Sequence, residues 1–257
     1  MTALGGERDI LIILILALLS KTMSIRVRHQ IINDTSSSIN PSFCFSWRLG
    51  VEVNNVLPWS RVPTHCLQYI EDYMIHGQYE QDLELIMEQA LSYMNGIVLN
   101  GDGMDAWVID VDDTCISNVF YYKSKRYGCD PYDPLAFRAW ALKGWCTAIP
   151  SILDLFNKLI DEGFKVILLT GRDEEIFHQV TIDNLHNQGF IGYERLVMRS
   201  AAYKGQSGVK YKSSIRKQLE DEGYRIWGNL GDQWSDLQGY SSGNRTFKLP
   251  NPMYFVP

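Results

Sequence analysis

The apolar run Ala106-Trp107-Val108-Ile109 ends directly in Asp110-Val111-Asp112-Asp113-Thr114, and this junction constrains the chain more than any other. Such a run reads as a buried strand whose C-terminal tip carries chemistry. Three clustered carboxylates repel one another, and some resist ionising unless a cation compensates them. Alternate residues of a strand share a face, so Asp110 and Asp112 start out pointing the same way. The chain must then turn, and such a tip can hold a hard cation such as Mg²⁺ with room for an anionic substrate. The competing reading is an acidic turn in which Asp113 and Thr114 cap a following helix.

Three distant segments bear on that choice. Lys165-Val166-Ile167-Leu168-Leu169 is a second strand-like run, ending in Thr170-Gly171-Arg172. Thr170 offers a hydroxyl, Gly171 lets the backbone approach a ligand, and Arg172 can fork onto an oxyanion. Tyr211-Lys212-Ser213 opens a helix expected to run to Glu222, with Lys204 and Lys210 as alternative lysines nearby. Ile226-Trp227-Gly228-Asn229-Leu230-Gly231-Asp232 gives a strand and a glycine turn, with Asp236 four residues beyond Asp232. Each segment alone has an ordinary structural explanation. Their combination and order are specific.

Strand-DxDxT, strand-TGR, Lys, strand-GDxxxD resembles the haloacid dehalogenase-like phosphohydrolases. Residues 108–121 (VIDVDDTCISNVFY) and 226–236 (IWGNLGDQWSD) look like the two signatures of the four-aspartate, class B-type acid phosphatases. The tail Phe247-Lys248-Leu249-Pro250-Asn251-Pro252-Met253-Tyr254 and Cys44-Phe45-Ser46-Trp47-Arg48 narrow the resemblance to the plant acid phosphatase and vegetative storage protein branch. Two departures are visible: Asp113 stands where that family usually has Glu, and Cys115-Ile116 replaces an apolar pair. The resemblance implies an α/β fold, a parallel sheet with helices on both faces, a small cap insertion and an N-terminal helical extension. It implies hydrolysis of small-molecule phosphate monoesters with Asp110 as nucleophile and Asp112 as general acid and base. It implies that Thr170, Gly171 and Lys212 bind phosphate. It further implies Mg²⁺ held by Asp110, the Asp112 carbonyl and Asp232, with Asp236 orienting metal waters. Storage-type relatives can lack the first Asp, and this chain keeps Asp110.

Composition sets the bounds. The length fits one α/β domain with an insertion, or a domain plus an extension. With a net charge of −6 and no basic stripe, the chain does not read as a nucleic-acid binder. Ile10 to Leu19 is almost purely Ile, Leu and Ala, too short for a stable membrane span, and suits a secretory signal peptide cut after Ser24. Its flanks misfit, because Glu7 and Asp9 outweigh Arg8, and a signal anchor is the alternative. A secreted or vacuolar chain can hold disulfides. Among five cysteines, Cys44 and Cys66 flank a Trp-rich segment as a staple, Cys129 and Cys146 offer a second pairing, and Cys115 reads as a small buried hydrophobe. Asn33 and Asn244 begin glycosylation sequons. A homodimer is left open.

The expected organisation is a signal segment at 1–24, a flexible extension at 25–43, helices within 44–105 and the phosphatase core at 106–257. Cys66 to Met74 and Gln78 to Met94 carry apolar residues at helical spacing. From Ala106, strands at 106–111, 165–169, 195–198, 225–228 and 245–249 alternate with helices at 150–162, 173–188 and 211–222, a pattern of parallel sheets. Residues 117–147, rich in Tyr, Phe and Trp, interrupt it directly after the acidic motif. By resemblance they are the cap: a lid over the site, or a packed hairpin away from it.

Overall fold

The computed structural model describes residues 41–257. The signal segment, most of the 25–43 extension and the Asn33 sequon therefore lie outside the described residues. Helix α1 (Pro41–Glu52) takes in the last three residues of the expected loose extension. It is followed by α2 (Leu67–Ile75) and α3 (Gln78–Met94), the two amphipathic helices anticipated from their spacing.

Five strands form one sheet: β1 (Asp105–Ile109), β4 (Lys165–Asp173), β5 (Arg195–Arg199), β6 (Arg225–Gly231) and β7 (Arg245–Lys248). Their spatial order is β5-β4-β1-β6-β7, and every neighbouring pair is parallel. Between β1 and β4 the chain makes α6 (Pro150–Asp161); α7 (Glu174–Asn187) joins β4 to β5, and α8 (Gly208–Asp221) joins β5 to β6. The side-chain period of two explains both layers. Ala106 and Val108 face Ile167, Leu169 and Ile226 under Tyr211, Ile215 and Leu219 of α8. Trp107 and Ile109 face the opposite layer, where Val166, Leu168 and Leu230 meet α6 and α3. A strand buried on both faces has no polar side, which is why this run is continuous rather than alternating. Gly228 is demanded by its partner: a Cβ there would lie 2.2 Å from the Trp107 ring, which also stacks on Phe247 at 5.6 Å.

The order places β1 at the switch point, with β4 on one side and β6 on the other. In open parallel sheets the crevice beyond the strand ends opens there. Asp110 is the residue that leaves β1 at that point, and its N–H still donates to the Leu230 carbonyl at 3.0 Å.

Residues 117–147 rise from this edge. A two-stranded antiparallel ribbon, β2 (Ile116–Ser117) with β3 (Thr147–Ala148), forms their base. Above it are α4 (Val119–Ser124) and α5 (Pro134–Ala141), the latter capped by Asp133. The helices before β1 pack onto the core through the α3 face and through the α1 end. A Cys44–Cys66 disulfide ties α1 to the turn before α2. Glu52 pairs with Lys248 at 2.9 Å, and its carbonyl accepts from Trp234 Nε1 at 2.9 Å.

Two expectations need correction. Cys129 and Cys146 do not pair; like Cys115 they are buried thiols, and each faces a different neighbour. The Cys129 thiol lies by the Pro63 carbonyl, whereas Cys146 Sγ meets Asn118 Oδ1 at 3.3 Å. Nor does Lys212 open its helix. The Ser207 side chain accepts from Lys210 N at 3.2 Å and starts α8 at Gly208, which puts Lys212 one turn inside.

Candidate active site

The four motifs separated in sequence meet at the C-terminal edge of β1, β4 and β6. Asp110, Lys212, Asp232 and Asp236 are all buried there. Lys212 Nζ bonds Asp110 Oδ1 and, at 2.6 Å, Asp236 Oδ1. Thr114 sits across from it, its Oγ1 3.3 Å from Asp110 Oδ2 and 3.5 Å from Asp232 Oδ1, while it accepts from Asp232 N at 3.2 Å. Thr114 therefore links the tips of β1 and β6 rather than capping a helix. The next element along the chain is β2, and α4 has no side-chain cap. Gly231 makes the turn possible, since a Cβ there would lie 2.4 Å from Asp236. Asp236 in turn accepts from Gln233 N at 2.9 Å and closes the short helix α9 (Trp234–Leu237) as a capping box.

Asp112 faces a different set of partners. Arg172 Nε lies 3.1 and 3.0 Å from its two oxygens, and Nη2 lies 2.7 Å from Oδ1. Thr170 Oγ1 at 3.3 Å and Asn118 Nδ2 at 2.9 Å complete the cage. The sequence pattern offered the Arg172 fork to an oxyanion; the fold gives it to a carboxylate of the protein. Thr170 is itself fixed on both sides, with its carbonyl accepting from Tyr211 Oη at 3.1 Å and its hydroxyl from Arg172 N at 3.1 Å. Gly171 lies exposed beside it. Lys204 and Lys210 do not reach the site, so Lys212 alone of the three contacts Asp110.

The charges follow from these contacts. Burial, then the Asp236 charge, push the Asp110 carboxyl well above the usual range, with Lys212 opposing. Burial with Asp236 and Asp113 raises Asp232 to about 7. Burial also lifts Asp113 to about 6, against hydrogen bonds from Asn118 and Tyr254. For Asp112 burial acts upward too, but the Arg172 charge and hydrogen bonds outweigh it and hold the carboxyl below its ordinary value. Asp112 is thus kept ionised at rest, opposite to what repulsion among the clustered carboxylates alone favours. The counter-charge came from a residue two positions beyond Thr170, whose partner the sequence does not show.

Asp110, Asp232 and Asp236 each offer a carboxylate oxygen, and these oxygens lie within 4.8 Å of one another. Three buried carboxylates with one ammonium among them leave excess negative charge, and an all-oxygen set suits a hard divalent cation. The cluster contains the Asp236 side chain and not that of Asp112, which is turned to Arg172.

Several partners were not anticipated. Asn118 donates to Asp112 and, through its backbone N–H, to Asp113 at 2.7 Å. It accepts from Trp140 Nε1 at 3.0 Å, so α5 is joined to the acidic motif and is not a remote hairpin. Gln233 and Asn251 both donate to Asp232 Oδ2, at 2.8 and 2.6 Å. Asn118 and Gln233 lie inside the quoted signatures, and Asn251 inside the tail; their spacing from the carboxylates carried no signal. Asn244 is exposed at the start of β7.

A parallel sheet with acidic tips on β1 and β6, a Thr-Gly tip on β4 and a buried Lys from the flanking helix defines the haloacid dehalogenase class. Residues 28–257 match the family described as HAD superfamily, subfamily IIIB (Acid phosphatase), and the chain belongs to that family. Acid phosphatase 1 of Solanum lycopersicum is 42% identical over 213 residues, 83% of each chain. Vegetative storage protein 2 of Arabidopsis thaliana is 38% identical over 230 residues, 89% of this chain and 86% of that one. Among solved structures, the class C acid phosphatase from Bacillus anthracis shares the fold. It has a TM-score of 0.61 and 19% identity over 74% of this chain and 84% of that one.

Proposed function

We propose that the chain is a Mg²⁺-dependent acid phosphatase that hydrolyses phosphate monoesters through an aspartyl-phosphate on Asp110. The observation that carries this reading is the buried Asp110–Lys212–Asp236 contact with Asp232 beside it, at the switch point of the sheet. Asp110 supplies the oxygen that bonds phosphorus as the ester oxygen leaves. Lys212, held by two carboxylates that raise its affinity for its proton despite burial, stays cationic and faces the transferring phosphoryl group. Thr170 turns its hydroxyl from Asp112 to the phosphoryl oxygens, and Gly171 brings backbone to the same point. Asp112 gives its proton to the leaving oxygen, then takes one from the water that releases phosphate. Asp110, the Asp112 carbonyl and Asp232 would hold Mg²⁺. When bound, the ion neutralises carboxylate charge and polarises the phosphoryl group.

Assay of the purified protein on an aryl phosphate with and without Mg²⁺ tests the reading; full turnover in chelator would sink it. Asp232→Asn is expected to weaken Mg²⁺ more than Asp236→Asn, on the order of 10-fold more, because one removes a ligand and the other only its setting. Asp236→Asn acts mainly through Lys212. Metal titration of both variants checks this, and equal affinities would count against the assigned ligands.

The Arg172–Asp112 pair gives the pH dependence a sign. A carboxyl held low is protonated only as pH falls, so turnover of esters with poor leaving groups should rise toward acidic pH. Arg172→Gln removes the cation that holds it low. The limb on which kcat falls with rising pH is then expected to move to higher pH. An unmoved profile would show that Asp112 is not the titrating acid.

The competing reading, a reserve protein with residual activity, comes from the storage-protein relatives. The intact Asp110–Lys212 pair favours catalysis over it. A secretory setting is part of the proposal: the Cys44–Cys66 bridge suits an oxidising compartment, and the exposed Asn244 sequon suits glycosylation. One relative, 38% identical over 216 residues, is named a stem 28 kDa glycoprotein of Glycine max. Among the described residues no helix is long and apolar enough to cross a membrane.

A further inference from the structure

The segment after β7 returns beneath the site and touches it repeatedly. Asn251 Nδ2 donates to Asp232 Oδ2 at 2.6 Å, with both residues buried. Gln233 Nε2 donates to the same oxygen at 2.8 Å. Two neutral amides therefore occupy Oδ2, and Oδ1 is left on the side of Thr114 and Asp110. Asn251 is itself fixed, its Oδ1 accepting from Met253 N at 3.0 Å.

Three residues on, Tyr254 Oη donates to Asp113 Oδ2 at 2.8 Å, and its ring stacks on Tyr122 of α4 at 4.7 Å and 10°. The segment is bound at both ends. Gly128 leaves no room for a Cβ against the Met253 carbonyl. Gln233 Oε1 accepts from Val256 N at 3.0 Å, and the Pro257 carbonyl accepts from Gly208 N at 2.8 Å.

We propose that residues 250–257 are a working part of the active site. In this proposal Asn251 is a positioning residue that aims the other oxygen of Asp232, Oδ1, into the metal cluster, and Tyr254 is a strut between Asp113 and α4. An aspartate can rotate about its last torsion, and the unaided carboxylate would turn its oxygens freely. Holding one oxygen with two donors removes that freedom before a cation arrives, the role that outer hydrogen bonds serve at metal sites. The donors are neutral, so they orient the carboxylate without cancelling its charge. This inference rests on the reading of Asp232 as a Mg²⁺ ligand.

The test is Mg²⁺ binding by substrate-free protein, read by calorimetry and by the rise in Tm on adding Mg²⁺, with kcat and KM at saturating Mg²⁺ alongside. Asn251→Ala is expected to weaken Mg²⁺ about 10-fold. Its kcat should return to within about threefold of wild type once Mg²⁺ saturates. Tyr254→Phe keeps the ring stack and loses only the hydroxyl, so its Mg²⁺ affinity should stay within about twofold. A merely structural Asn251 would lower Tm in chelator and leave the Mg²⁺ affinity and the Mg²⁺-induced rise in Tm unchanged; that result would overturn the proposal. If Asn251→Ala does not fold, Asn251→Ser, which keeps a short polar group, carries the same measurement. A wild type that ignores Mg²⁺ yet hydrolyses phosphate esters would overturn the metal reading and this inference together. A Mg²⁺-responsive wild type with an unaltered variant would overturn this inference alone.

Discussion

Asp110→Asn is expected to lower kcat by on the order of 10³-fold or more, about 4 kcal/mol of barrier, while the protein stays folded. The amide is nearly isosteric and still accepts from Thr114, but it is a poor nucleophile and a weaker ligand for Mg²⁺. Stability should hold or rise at neutral pH. The carboxyl is pushed well above its ordinary range in the fold, so keeping it charged costs folding energy that Asn does not incur. Lys212 keeps Asp236 as its partner. Asp112→Asn should also be crippled on alkyl phosphates, which need a proton on the leaving oxygen. An aryl phosphate should partly rescue formation of the aspartyl-phosphate in that variant but not its hydrolysis, giving a burst followed by slow turnover. Rapid-quench kinetics would show it. If Asp110→Asn turns over aryl phosphate at the wild-type rate, the nucleophile is elsewhere. If the wild type with Mg²⁺ is inert at every pH, a reserve role replaces the enzyme reading.

Lys212→Met is expected to destabilise the metal-free protein by about 3–5 kcal/mol at pH 7, the usual cost of removing one partner from a buried ion pair. Asp110 and Asp236 would then face each other without a cation, next to Asp232. The pH dependence has a definite sign. Without Lys212, which opposes the rise, the folded Asp110 carboxyl titrates even further above its unfolded value. Its penalty is present at neutral pH and fades as pH falls toward the unfolded value and the unfolded carboxyl takes up its proton as well. The gap between variant and wild type in urea unfolding should therefore shrink from pH 7 to pH 5. Mg²⁺ should narrow it as well, by supplying the missing positive charge. A gap that is constant across pH and metal would mean that Lys212 contributes packing rather than charge.

Much of the architecture was legible because its causes are local. The continuous apolar run at 106–109 had to be buried on both faces, and the alternation of such runs with helices left a parallel sheet as the natural outcome. The tips of β1, β4 and β6 were readable for the same reason: a motif directly following a strand lies at its C-terminal end. Boundaries set by capping were less so. The start of α8 moved because Ser207 caps it, and α1 began earlier than the polar composition before it suggested.

What the chain determined by itself is which side chains reach the edge of the sheet, since strand period, turn glycines and helix starts depend on neighbours in sequence. What only the tertiary structure decided is how those side chains share one another. The sequence offered the Arg172 fork to an oxyanion, and only the fold placed Asp112 in it and so kept that carboxyl ionised. Asp236 shares Lys212 with Asp110, a pairing that their spacing does not encode. Cys129 and Cys146 stayed thiols because the fold faced them to different partners. Asn251 reached Asp232 from nineteen residues away. Hydrogen bonds and ion pairs are directional and short-ranged, so which of several compatible pairs forms depends on distances that no one-dimensional spacing encodes.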